Sequence, residues 1–170
     1  MAYIDACKIS HCIFFFLCCL SCIGCGYHIG DILHEQTIAV PIFHNETLYR
    51  GYEFLLTKAV ISEILTTTPL QVVEQEESDT VLYGKILKVE QQTIAKDEER
   101  RATALDLTIY AQIHWQDIRQ KKDILAPRTV AESIEVRFQR GQSLDSAMTE
   151  ALRKLGRKIV ANLEHPYWKK

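Results

Sequence analysis

Cysteine is missing from all of residues 26–170. The six cysteines present stand at or before residue 25: Cys7, Cys12, Cys18, Cys19, Cys22 and Cys25. A disulfide framework or structural zinc site spreads its ligands through the fold it holds, so neither organises the body of this chain. Net charge is equally scarce. Against 20 Lys and Arg stand 22 Asp and Glu, giving −2 and a pI near 6.3. That balance excludes the broad positive field of a dedicated nucleic-acid binder. There is no Gly-rich phosphate loop, no nucleophile elbow and no His pair at metal-ligand spacing. No metal, cofactor or catalytic residue is therefore expected, and the chain reads as a non-enzyme. Glu63 lies near the middle of an apolar helix face, where snorkelling or ion pairing accounts for it better than catalysis. His114 falls on a polar strand face and reads as a solvated side chain. Internal repeats and low-complexity linkers are also lacking. With 47% hydrophobic and 25% charged residues the chain is not a disordered one, and 170 residues suit one domain with a tail.

What is present begins with residues 13–24, IFFFLCCLSCIG. This apolar run falls short of the ~20 residues a membrane-spanning helix needs, but matches the apolar core of a signal peptide. Cys22-Ile23-Gly24-Cys25 resembles a bacterial lipobox, in which the peptidase cuts before an acylated cysteine. Gly24 and Cys25 fit that pattern, while Cys22 occupies the position where leucine is usual. The expectation is a lipoprotein signal peptide over 1–24, lipidation at Cys25 and a tether over 25–36. A single domain over 37–165 and a short tail over 166–170 follow. Removing residues 1–24 takes away Asp5 and Lys8 together, so the net charge is unchanged.

Within the domain, Thr37–Phe43 is β-branched and aliphatic, a strand that Pro41 confines to an edge or an end. Asn45-Glu46-Thr47 is loop chemistry. Tyr52–Leu65 has helical periodicity, with Tyr52, Leu55, Leu56, Ala59, Val60 and Ile64 on one face and Phe54, Ile61 and Leu65 opposite. A helix apolar on two sides needs two partners, and burial within its own domain is the simpler expectation. Thr66-Thr67-Thr68-Pro69 ends it. Leu70–Val73 is a short strand and Glu74–Asp79 an acidic loop. Thr80–Ile94 is a long strand, with Gly84 a bulge or a point of close approach. Lys96–Arg101 is a charged hairpin tip. Thr103–Trp115 alternates, with Leu105, Leu107, Ile109, Ala111, Ile113 and Trp115 on one face. Gln116–Pro127 reads as a polar connection and Thr129–Phe138 as a further strand. The last helix starts after Ser143 as N-cap and is stopped by His165-Pro166. The order β-α-β-β-β-β-α predicts an α+β fold: two helices packed on one face of a mixed, mostly antiparallel sheet of four to five strands.

The motif series resembles the lipopolysaccharide-assembly lipoprotein family LptE. It comprises Cys25-Gly26-Tyr27-His28, then TIAVPIFHNET over 37–47, GYEFLLT over 51–57 and SDTVLYG over 78–84. The resemblance implies a lipid-anchored protein of the outer membrane, facing the periplasm. It would plug the β-barrel LptD, aid that barrel's assembly and bind lipopolysaccharide. Gly26 after the anchor is not the Asp that resembles an inner-membrane retention signal. No motif position carries over a lipopolysaccharide contact. Lipid phosphates call for Arg or Lys, and Lys85, Lys88, Lys96, Arg100 and Arg101 gather on or beside one hairpin. The competing expectation there is a solvated hairpin closed by internal ion pairs. The alternative function is a periplasmic secretion or scaffold lipoprotein module, because the strand ending in Pro41-Ile42-Phe43 also looks like the curli-secretion lipoprotein CsgG and the N-terminal domain of TolB.

Overall fold

The computed structural model describes residues 37–99, 101–138, 141 and 143–168. The signal segment, Cys25, the tether and Arg100 lie outside the described residues. In chain order the elements are β1 (Thr37–Ala39), β2 (His44–Asn45), α1 (Tyr52–Thr67), β3 (Gln71–Val72), a 3-10 turn (Gln75–Glu77), β4 (Thr80–Lys96), β5 (Ala102–Asp117), β6 (Lys122–Arg137) and α2 (Leu144–Trp168). They form one sheet of order β3-β1-β4-β5-β6, with β2 also pairing β4. β1 is parallel to β3 and β4, β2 is parallel to β4, and the three long strands form an antiparallel meander. The two helices contact each other, and α2 also packs on β5 and β6. The expected α+β architecture is present, with the two-residue strand β2 adding to the expected count.

β5 carries the pattern that decides which face is core. Leu105, Leu107, Ile109, Ala111, Ile113 and Trp115 are all buried, and the residues between them are half-exposed. Period-2 alternation against a one-sided core produces this result. Leu56, Val60 and Ile64 of α1 and Met148, Leu152, Leu155 and Ile159 of α2 close over that face. The helices meet closely at Gly156, where a Cβ would stand 3.0 Å from Ala59 Cβ. Ser143 is the N-cap of α2 as expected: its Oγ accepts from Ser146 N–H at 3.1 Å.

Several boundaries differ from the sequence expectations. The first strand stops at Ala39, because Pro41 has no N–H for a ladder. The Phe43 N–H instead donates to Thr57 Oγ1 at 2.9 Å. The expected connection over Gln116–Pro127 is mostly strand: the turn covers only residues 118–121, and β6 begins at Lys122. Pro127 is tolerated because β6 is an edge strand, where a missing donor breaks no ladder. α2 continues through Pro166 to Trp168 rather than stopping at His165. On α1 the second apolar stripe is covered only in part by the described residues: Ile61 packs against the core, while Phe54 is 56% and Leu65 61% exposed. Gly84 is a point of close approach, and the bulge comes later, between Ile86 and Lys88.

Candidate functional site

The face of the sheet away from the helices is polar, and strand register builds it in rows. His44 of β2 pairs Lys85 of β4, which pairs Gln112 of β5. In the next row Tyr83 of β4 pairs His114 of β5. The Ile86/Lys88 bulge restores the alternation farther up, so Lys88 and Glu90 again face the open side, opposite Tyr110 and Thr108.

This face is knitted by short-range charge. Lys88 Nζ lies 2.5 Å from Glu90 Oε1 and 4.3 Å from the centre of the Tyr110 ring, and Tyr110 OH donates to Glu90 Oε2 at 3.0 Å. The hydrogen bond from Lys88 holds the Glu90 carboxyl below its ordinary range, and the same bond raises the Lys88 ammonium. Ser133 Oγ donates to Asp106 Oδ1 at 2.6 Å, across from β6. His114 Nε2 stands 2.7 Å from Asp123 Oδ1, so this histidine is paired rather than merely solvated.

Beside these networks lies a cleft of about 390 Å³. Pro41 and Ile42 wall one side, and Pro127 lies on the other. The β5–β6 register slips between Ile113 and Trp115, which sets Ala126 and Pro127 opposite His114 alone. Tyr83, Lys85, Gln112 and His114 line the space between, with His44 and Gln75 at its edge. A bulge of this kind re-aims side chains at a sheet edge.

Of the five cations singled out from the sequence, Arg100 lies outside the described residues, and the other four do not form one patch. Lys85 and Lys96 stand 11 residues apart on one extended strand, roughly 35 Å. Lys85 pairs with Glu46 at 2.9 Å and Lys88 with Glu90. Arg101 pairs with Asp97 at 2.8 Å and with Glu99, so its guanidinium closes the hairpin tip. Lys96 is exposed and has no ion pair among the described residues. Glu63 is half-buried on α1, and its carboxylate has no hydrogen-bond partner among the described residues. Among the described residues no group of three or more His, Cys, Asp or Glu could hold a metal ion, and no helix is long and apolar enough to cross a membrane.

The motif segment over 41–57 has a structural explanation in this geometry. Asn45 Nδ2 donates to Tyr49 O and to Glu53 Oε2, each at 2.7 Å, and Glu53 Oε2 accepts from Gly51 N–H at 3.0 Å. Bonds from its own backbone N–H and from Asn45 hold the Glu53 carboxyl below its ordinary range, at the positive end of the α1 dipole. The His-Asn-Glu-Thr loop and the helix start are one unit, and Phe43 just before it packs against Gly84 of β4.

The family model described as "LptE: Lipopolysaccharide-assembly" matches residues 35–163, which take in β1 through nearly all of α2. The chain belongs to the LptE family. A sequence search of curated proteins finds no match. Among solved structures, the hypothetical protein CT253 from Chlamydia trachomatis superposes with a TM-score of 0.59 at 11% identity, covering 79% of this chain and 98% of that one. Protein XCC0632 from Xanthomonas campestris gives 0.58 at 12% identity, covering 77% and 84%. The rare lipoprotein B from Shewanella oneidensis gives 0.53 at 10% identity, covering 76% and 95%. At such identities these likenesses establish a shared fold. For this LptE-family chain the open polar face is a feature that the sequence motifs did not point to. Its residues come from four strands, and only register brings them together.

Proposed function

We propose that this chain is a lipoprotein of the outer membrane, anchored through acylated Cys25 and facing the periplasm. It seats in the LptD β-barrel, aids that barrel's assembly and helps deliver lipopolysaccharide to the cell surface. The observation that carries this reading is the match of the lipopolysaccharide-assembly family model to residues 35–163. Two features support it. A plug has to meet a polar barrel interior, and the side of β5 away from the helices is polar and half-exposed. A plug also has to be gripped, and Phe54 and Leu65 of α1 offer apolar contact that the other described residues leave uncovered.

Anchoring follows from arithmetic. One acyl chain holds a protein only reversibly, and two or more hold it stably. Lipid phosphates would be met at the hairpin end by Lys96, Arg100 and Arg101. Lys85, Lys88 and Arg101 belong to the proposed contact set only if Glu46, Glu90, and Asp97 with Glu99, release them. Depleting the chain tests the reading: barrel assembly should fail, and Cys25→Ala should abolish incorporation of labelled palmitate. Normal barrel assembly after depletion contradicts it.

A further inference from the structure

The cleft on the open face has a chemistry of its own. Its floor and wall combine an exposed aromatic ring with planar polar side chains. Tyr83 is 40% exposed, and its ring lies 6.2 Å from that of His114, tilted by 31°. Pro41, Ile42 and Pro127 add apolar surface. The side chains of His44, Gln75 and Gln112 have no hydrogen bond to any other described residue, so their donors and acceptors remain available. Gln112 alone offers two N–H donors and a carbonyl.

The charges present are already matched. Lys85 is paired with Glu46, and Asp123 stands against His114. A phosphate entering here would meet those carboxylates as well as the cation. An acyl chain would strip water from the amides and imidazoles without replacing their hydrogen bonds, which is costly. The ligand that satisfies both parts has an apolar face and a rim of neutral hydroxyls. A pyranose has both: axial C–H groups on one face and hydroxyls, each donor and acceptor, around the edge. The volume of about 390 Å³ is in the range of small-ligand clefts.

We infer that this cleft is a saccharide site, which takes an uncharged sugar ring stacked on Tyr83 with its hydroxyls hydrogen-bonded by Gln112, His44 and Gln75. The inference rests on the cleft alone and not on the barrel partnership. The sugar could belong to the glycan of lipopolysaccharide or to a cell-wall glycan, and the two are separable.

The test is calorimetric titration of the full-length chain in detergent with three probes: dephosphorylated oligosaccharide released from lipopolysaccharide, chitotetraose, and inorganic phosphate. Sugar binding that weakens about tenfold in Tyr83→Ala and survives in Tyr83→Phe supports the site. Gln112→Leu should weaken it too, by a route that leaves the ring in place. Binding of the first sugar alone assigns the lipopolysaccharide glycan, and of the second alone a cell-wall glycan. Phosphate binding without sugar binding overturns the inference, as does sugar binding unchanged in Tyr83→Ala, or no binding of either sugar. Barrel recovery with the Tyr83→Ala chain is read in parallel. Normal recovery without sugar binding by the unsubstituted chain defeats this inference and leaves the proposed function standing.

Discussion

The ring of Phe43 lies directly against the backbone of Gly84: a Cβ at residue 84 would stand 2.4 Å from Phe43 Cε2. This contact seats Phe43 against β4, next to the Pro41 and Ile42 that line the cleft. Gly84→Ala forces the ring to move within a close-packed core and should destabilise the domain by roughly 1–3 kcal/mol. Chemical denaturation measures it. In a double-mutant cycle with Phe43→Leu the two costs should fall short of additive, because the smaller side chain makes room.

Thr57 ties the Phe43 backbone to α1. Its hydroxyl is buried, accepts from Phe43 N–H at 2.9 Å and donates to Glu53 O at 2.7 Å. Thr57→Val keeps the shape and leaves a buried amide unpaired, at a cost of about 1–3 kcal/mol. Thr57→Ser keeps the hydroxyl and should lose clearly less. The midpoints of urea unfolding distinguish the two.

Much of the fold was legible from the sequence where one physical rule acted alone. β5 alternates because it is covered on one face, and its six inward residues could be read directly. Ser143 and the Thr-Thr-Thr-Pro stop mark helix ends by local chemistry. β6 was harder, since Pro127 reads as a breaker until its edge position is known. The two-residue strand β2 has no periodicity to detect, whereas β3 falls inside the short strand expected over Leu70–Val73. The open face was legible only within single strands, as the polar side of β5 that carries His114. Lys85 meets Glu46 and Tyr83 meets His114 only through register across strands. The charged residues of the hairpin could be named, but not their division into paired and unpaired.

Acid should loosen the junction between β1 and the start of β4. Asp79 Oδ2 accepts from Thr37 Oγ1 at 2.9 Å and from Thr37 N–H at 3.3 Å, with Arg119 on its other oxygen. These hydrogen bonds from Thr37 hold its carboxyl below the ordinary 3.8. A carboxyl lowered by folding contributes stability that is present above 3.8 and is lost as pH falls through the lower folded value. Asp79→Asn should therefore reduce stability at neutral pH and flatten the decline below about pH 4. Thermal unfolding between pH 2 and 7 measures both.

Charge at the hairpin end should decide phosphate binding. Lys96→Glu, which reverses a cation with no ion pair among the described residues, should weaken binding to lipopolysaccharide by on the order of fivefold. Lys88→Ala, which removes a cation already matched by Glu90, should change it by no more than about twofold. Surface capture on immobilised lipopolysaccharide at two salt concentrations measures this, since exposed charge weakens with salt.

The central claim is partnership with a barrel in the outer membrane. A tagged full-length chain, purified from detergent-extracted outer membranes, should bring down LptD in near-equal amount and carry acyl groups on Cys25. Recovery as a soluble monomer, with Cys25 unmodified and no barrel attached, would contradict the account.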